Sequence, residues 1–195
     1  MILLIDNYDS FSYNLVQLVG SICKEKEEVG KFEEIHVIRN DECNIDEIEK
    51  MAPDYIILSP GPGRPRDAGV CEDLVLHMKG KAKILGVCLG HQGICEAFGA
   101  TITYAKELMH GKQSEITVSM DPIFKGITDG CLVARYHSLA VDKESIPKEL
   151  DIIAETKDGE VMAVKHKKYD IYGLQFHPES VLTPDGKRIL ENFLG

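Results

Sequence analysis

Short runs of consecutive apolar residues alternate, through the first half of the chain, with stretches in which apolar residues recur every three or four positions. Ile2-Leu3-Leu4-Ile5, Ile35 to Ile38, Tyr55-Ile56-Ile57-Leu58 and Lys83 to Val87 are of strand length. Their continuous apolar character is what a strand covered on both faces needs. Between the first two runs lies a polar turn, Asp6-Asn7-Tyr8-Asp9, with Ser10 as the expected N-cap of a helix whose apolar face is Phe11, Leu15, Leu18, Val19 and Ile22. Ile45 and Ile48 mark a short acidic helix, Val70 to Met78 another, and the segment after Val87 a further helix that ends at Gly99. This alternation predicts an α/β fold: a flavodoxin-like, mostly parallel, doubly wound sheet flanked by helices.

From about Thr101 the period changes. Gln113 to Ser119, Cys131 to Tyr136, Leu150 to Glu155, Val161 to Lys165 and Ile171 to Phe176 read as strands joined by turns such as Asp158-Gly159, so the C-terminal half adds antiparallel strands. A last helix, Lys187 to Leu194, follows the start signal Thr183-Pro184-Asp185. No repeat, low-complexity stretch or linker interrupts residues 1–195, and a single domain is expected.

Composition narrows the class. A net charge of −10 argues against a surface that follows phosphate backbones, so no nucleic-acid partner is expected. No apolar run approaches the ~20 residues that span a bilayer. The opening Met1 to Ile5 is too short for a signal-peptide core, so a cytoplasmic protein without a membrane partner is expected. The six cysteines, at 23, 43, 71, 88, 95 and 131, form no CxxC pair, and reduced thiols are the expectation.

One of those cysteines stands out. Gly86-Val87-Cys88-Leu89-Gly90 joins an apolar strand to a helix and has the GxSxG elbow pattern with Cys for Ser. Such a turn crowds the positions two before and two after the nucleophile, and glycine there removes the clashing Cβ atoms. It also sets the sulfur at a helix N-terminus, whose partial positive charge favours an anionic sulfur, beside the backbone N–H of Leu89, an oxyanion donor. Alone, the pattern describes a buried cysteine at a Gly-rich strand end equally well. Zinc held by Cys88, His91 and Cys95 fits poorly, because Cys88 lies in the turn and not on the helix, and no metal is expected.

The far end of the chain decides. In Gln175-Phe176-His177-Pro178-Glu179-Ser180, His177 and Glu179 are two apart and project to one side of an extended segment, with Pro178 holding that conformation. A base and its orienting carboxylate are what a cysteine nucleophile requires. Ser59-Pro60-Gly61-Pro62-Gly63 follows a core strand, so in a parallel sheet it shares an edge with Cys88, and the N–H of Gly61 is a candidate second oxyanion donor.

Gly86 to Gln92 together with Phe176-His177-Pro178-Glu179 resembles the class I, triad-type glutamine amidotransferases. Asp6-Asn7-Tyr8-Asp9-Ser10-Phe11, Ser59 to Gly63, His110-Gly111-Lys112 and Arg135-Tyr136-His137-Ser138-Leu139 are similar to the glutaminase subunits of anthranilate synthase and aminodeoxychorismate synthase, over essentially the whole chain. The resemblance implies hydrolysis of L-glutamine by Cys88, His177 and Glu179, with Gly61 and Leu89 as the oxyanion hole. It implies that Gly61, Pro62, Gly63, Gln92, Ser138 and Leu139 hold glutamine. It also implies that Asp6, Asn7, Tyr8, Asp9, Ser10, Phe11, His110 and Gly111 meet a large chorismate-binding synthase subunit, in a heterodimer or heterotetramer. No cofactor is implied in this chain, and magnesium would sit on the partner. Two departures are visible: Lys24 to Phe32 is long and charged for its place, and Ser12 stands where the family often has Thr.

Rival readings fail at particular residues. A γ-glutamyl hydrolase or cysteine peptidase would use the same triad but leaves the first loop and His110-Gly111 without a purpose. A receiver module needs an acid after the third strand, where Ser59 stands, and a flavodoxin needs a hydroxyl- and glycine-rich phosphate loop where Asp6 to Asp9 lie.

Overall fold

The computed structural model describes residues 1–28 and 34–195. The chain runs β1 (Ile2–Asp6), α1 (Ser12–Glu28), β2 (Ile35–Arg39), α2 (Ile45–Met51), β3 (Tyr55–Leu58), α3 (Cys71–Met78), β4 (Lys83–Val87) and α4 (Leu89–Ala97). It continues through β5 (Ile102–Tyr104), β6 (Lys112–Val118), β7 (Cys131–Arg135), β8 (Leu139–Val141), β9 (Leu150–Thr156), β10 (Val161–His166) and β11 (Ile171–Leu174) to α5 (Gly186–Leu194). A nine-stranded sheet has the order β2-β1-β3-β4-β11-β10-β9-β6-β7. Its first five strands are mutually parallel, and the last four join antiparallel.

The continuous apolar runs are explained by burial on both faces. Ile2 and Leu4 face a layer made with Leu15, Val19 and Ile22 of α1 and Ile189, Leu190 and Phe193 of α5. Leu3 and Ile5 point the opposite way, into Ile48 of α2, Leu74 and Val75 of α3 and Ile94 of α4. The fifth parallel position is taken by β11, which arrives from eighty residues further along and pairs with β4 in register Gly173 to Gly86 and Leu174 to Val87. That pairing carries the far end of the sequence to the strand that leads into Cys88.

Two expected element boundaries change, and one small sheet is added. Helix α1 starts at Ser12 and not just after Ser10: the Asp9 carboxylate accepts the Phe11 N–H (2.6 Å), and the Ser12 hydroxyl donates to Asp6 (2.7 Å). Asp9 thus turns the chain into the helix through a local side-chain-to-backbone bond, in place of the Ser10 cap expected from the sequence. Strand β11 stops at Leu174, because the chain then crosses from β10 to β7: Gln175 N–H donates to Met162 O and His177 N–H to Ala134 O. Strands β5 and β8, three residues each, form a separate two-stranded sheet too short to show a period. Of the charged stretch Lys24 to Phe32, residues 29–33 lie outside the described residues. The described part continues α1, where Glu25 pairs with Lys187 of α5 (2.6 Å). Among the described residues no helix is long and apolar enough to cross a membrane.

Candidate active site

Cys88 links β4 to α4 with φ 51° and ψ −99°, a conformation L residues avoid and one that costs on the order of 1–3 kcal/mol. Two hydrogen bonds pin it: its N–H donates to Leu174 O (2.8 Å), and its carbonyl accepts from Gln92 N–H (3.0 Å). The flanking glycines are obligatory. A Cβ on Gly86 would lie 2.3 Å from the Gly90 carbonyl, and one on Gly90 would lie 2.5 Å from the Leu58 carbonyl. The turn is therefore packed between β3 and its own helix, and the sulfur stands at the first turn of α4, where N–H groups lack intrahelical acceptors.

His177 and Glu179 come to this point from the segment that leaves β11 and crosses onto the antiparallel strand β7. Nδ1 of His177 donates to Glu179 Oε1 (2.7 Å), and both side chains are buried. Nε2 of the ring, the nitrogen left for a nucleophile, has no hydrogen-bond partner among the described residues. Burial would lower the pKa of this histidine, but Cys88 and Glu179 outweigh it and raise it to about 10. The ring therefore keeps its proton through neutral pH, as the cationic half of a thiolate–imidazolium pair does.

The turn that holds this pair has supports not evident from the sequence. Thr183 Oγ1 donates to His177 O (2.7 Å) and accepts the Ala134 N–H (2.9 Å). Gly186 abuts Pro178 so closely that a Cβ would sit 1.8 Å from its carbonyl oxygen.

A cavity of about 190 Å³ is lined by Gly61, Pro62, Gly63, Cys88, Leu89, Gln92, Tyr136, His137, Ser138 and Leu139. All six residues expected to hold glutamine are thus brought together with Cys88, the expected nucleophile, and both oxyanion candidates. Larger depressions lie around Arg135 and Glu160 (about 400 Å³) and around Met120 and Phe124 (about 630 Å³). Neither contains a cysteine on a strained strand-to-helix elbow, which is the feature that singles out the smaller cavity. Among the described residues no group of three His, Cys, Asp or Glu is placed to hold a metal ion, and Cys43, Cys71, Cys88, Cys95 and Cys131 form no disulfide.

The Gly61 loop is braced from behind by Asn7. Its N–H donates to Ser59 Oγ and its Nδ2 to Ser59 O (both 2.8 Å), while Asn40 Nδ2 donates to its Oδ1 (2.9 Å). A Cβ on Gly61 would lie 2.5 Å from the Asn7 Cβ. Asn7, expected to face a partner, is 2% exposed and is a bracket of this loop, because three hydrogen bonds turn it inward. Tyr8 and Ser10 are exposed, Asp6, Asp9 and Phe11 half-buried, and His110 and Gly111 exposed. Phe11 and His110 both pack on Tyr136 (ring centroids 5.1 and 6.0 Å), which lies 5.1 Å from the His177 ring.

Two further buried groups belong to the site. Gln175 Nε2 donates to Cys88 Sγ (3.6 Å). Alternation from His177 places Gln175 on the same side of the extended segment and is the signal that marks it. His137 donates from Nδ1 to Leu139 O (2.8 Å) and accepts at Nε2 from Arg135 Nε (3.1 Å), whose guanidinium pairs with buried Glu160. Burial, and secondarily Arg135, push His137 down to about 4, so this ring is neutral. No local pattern announces the Arg135–Glu160 pair, whose members are 25 residues apart.

A buried histidine–glutamate pair facing a thiol on a strained strand-to-helix elbow is the arrangement of an enzyme that opens amides through a cysteine nucleophile. The chain belongs to the class-I glutamine amidotransferases, whose family model matches residues 3–195. It is 51% identical over 99% of its length to the bifunctional protein TrpGD of Thermotoga maritima, of which it spans 32%. It is 48% identical to the aminodeoxychorismate/anthranilate synthase component 2 of Bacillus subtilis, covering 100% of this chain and 95% of that one. A solved glutamine amidotransferase of Thermotoga maritima superimposes with a TM-score of 0.76 over 99% of this chain and 95% of that one, at 16% identity, a likeness of fold alone.

Proposed function

We propose that this chain is the glutamine-hydrolysing component of a chorismate-using synthase, either anthranilate synthase, aminodeoxychorismate synthase or both, and that residues 1–195 act as one amidotransferase domain. The observation that carries the reading is Cys88 on its elbow, in one cavity with the Gly61 to Gly63 loop and beside the His177–Glu179 pair, whose ring Cys88 and Glu179 together hold protonated. The Bacillus subtilis relative carries both synthase names, which supports leaving both acceptors open.

The chemistry follows from the geometry. The Cys88 thiolate adds to the side-chain amide carbon of glutamine, and the N–H groups of Leu89 and Gly61 receive the charge that develops on the amide oxygen. His177, protonated and held by Glu179, gives its proton to the departing nitrogen, which leaves as ammonia and a glutamyl thioester. Water then attacks the thioester carbon, His177 takes the water's proton, and glutamate departs as the thiolate re-forms. Ser138 and Leu139 hold the α-amino and α-carboxylate end, and a cavity of about 190 Å³ suits so small a substrate. Ammonia passes to the large subunit, which docks over the Tyr8 to Phe11 loop and His110, and magnesium belongs to that subunit. Thiols that form no disulfide at Cys43, Cys71, Cys88, Cys95 and Cys131 support a cytoplasmic site of action.

The test is Cys88→Ala in complex with the synthase subunit. Glutamine-dependent product formation falls by roughly 10⁴-fold or more, while added ammonium salt still supports synthesis. Glutamine use that survives the substitution refutes the nucleophile. Whether chorismate becomes anthranilate or aminodeoxychorismate in that assay identifies the acceptor.

A further inference from the structure

Gln175 is fully buried, and nothing in the proposed reaction uses it. Its amide orientation is fixed by a chain of partners that ends on the backbone. The Leu139 carbonyl can only accept, and it takes a hydrogen bond from Gln92 Nε2 (2.9 Å). That determines which end of the Gln92 amide is nitrogen, so its second N–H is directed at Gln175, whose Oε1 accepts it (3.1 Å). With Oε1 so committed, the atom of Gln175 that faces Cys88 Sγ at 3.6 Å is Nε2, a donor. Both N–H groups of Gln92 are consumed in this relay, which leaves its Oε1 for substrate.

A neutral thiol is a weak acceptor, and a thiolate is a strong one. A buried amide N–H aimed at sulfur is therefore satisfied well only when the sulfur is ionised. We propose that Gln175 is a catalytic residue that stabilises the Cys88 thiolate through this N–H, with Gln92 as the positioning residue that fixes it. The assignment rests on Cys88 being the nucleophile. The same N–H receives the charge again when hydrolysis of the thioester releases the sulfur. Because the Leu139 carbonyl sets the relay, the segment that holds the α-end of glutamine is joined to the nucleophile through two side-chain amides.

The titratable groups nearest the sulfur are His177 with Glu179 and His137 from the β7–β8 turn, while His91 of α4 packs on Gly173 and Cys95. His137 and His91 are pushed down to about 4 and about 3, in each case chiefly by burial, and stay neutral above pH 6. The experiment is alkylation of the full chain by iodoacetamide as a function of pH, read at the peptide that contains Cys88. Replacing Gln175 by Met, similar in shape but without a donor, lowers the rate at neutral pH by about tenfold and moves the midpoint upward. Gln175→Glu keeps the acceptor for Gln92 but sets a carboxylate on the sulfur, and moves the midpoint further. Folded variants with the wild-type profile overturn the proposal. If neither variant folds, the side-chain amide resonance of Gln175 in the wild-type chain decides: it must move with the ionisation of Cys88, and a resonance that ignores it overturns the proposal equally. The nucleophile reading fails separately, if wild-type chain fully alkylated at Cys88 still hydrolyses glutamine.

Discussion

The two halves of the large sheet contribute unlike things to one cavity. The parallel half, β1 to β4, supplies backbone: the strained turn at Cys88, the loop at Gly61, and the tight approach of α4 to β3. The antiparallel half, with the segment that leaves β11 and crosses onto it, supplies ionisable side chains: His177, Glu179, His137, Arg135 and Glu160, nearly all buried and tied by hydrogen bonds. The first half is held by shape and is intolerant of added volume. The second is held by charge and is intolerant of the wrong proton.

The largest effect that separates them is acid. His137, in the antiparallel half, and His91, at the seam where α4 packs on Gly173 of β11, are buried and neutral, with pKa pushed down to about 4 and about 3, mainly by burial. In the unfolded chain both take up protons near pH 6.5, so falling pH favours unfolding from there down to about 4. Together the two rings remove on the order of 5 kcal/mol over that range, comparable to the whole stability of an ordinary domain. His177 has the opposite sign. Raised to about 10 by Cys88 and Glu179 against the pull of burial, its contribution is fully present below 6.5 and is lost as pH rises towards 10. Urea unfolding across this pH range should show an acid-side decline before the carboxylates titrate. A stability flat from pH 6.5 to 4.5 would mean that the two rings are not buried neutral.

Volume probes the other half. Gly90→Ala places a methyl 2.5 Å from the Leu58 carbonyl and 2.7 Å from its Cβ, both on a central strand that cannot move aside. The expected cost is roughly 3 kcal/mol, read as a lowered melting temperature, with glutamine hydrolysis lost because the turn shifts beneath Cys88. Gly63, also in the cavity wall, has nothing within 4 Å of a Cβ position, but its φ of 82° makes substitution strained for a different reason. If Gly90→Ala melts like the wild-type chain, the elbow is not packed as described.

What was legible in the residues follows the same division. The parallel strands show in Ile2 to Ile5 and Tyr55 to Leu58 because burial on both faces writes itself as a continuous apolar run. The elbow shows because two glycines bracket one cysteine for a steric reason. The His177–Glu179 pair shows because two residues of an extended segment share a side. Asn7, expected to face a partner, is turned inward by Ser59 and Asn40, contacts with residues more than thirty positions away that no local pattern encodes. The Arg135–Glu160 pair and the short strands β5 and β8 were invisible for the same reason: neither period nor spacing encodes a contact between distant segments. Gln175 was within reach, since it alternates with His177, but only the relay through Gln92 shows what its amide faces.

The smallest effect is the finest test of the antiparallel half, because it removes one hydroxyl and no charge. Thr183 donates to the carbonyl of His177 and accepts the N–H of Ala134, and so joins the turn that carries the base to the edge strand β7. Thr183→Val keeps the shape and leaves both backbone groups buried without this partner, at about 1–2 kcal/mol. The His177 ring then loses its fixed distance from the sulfur, and kcat for glutamine falls severalfold, while KM stays near the wild-type value because Thr183 does not line the cavity. Thr183→Ser restores the hydroxyl and should recover most of kcat at a small cost in packing. A Thr183→Val chain that loses stability but keeps full kcat would show that the base is held by Glu179 and Gly186 alone, and that Thr183 serves only the fold.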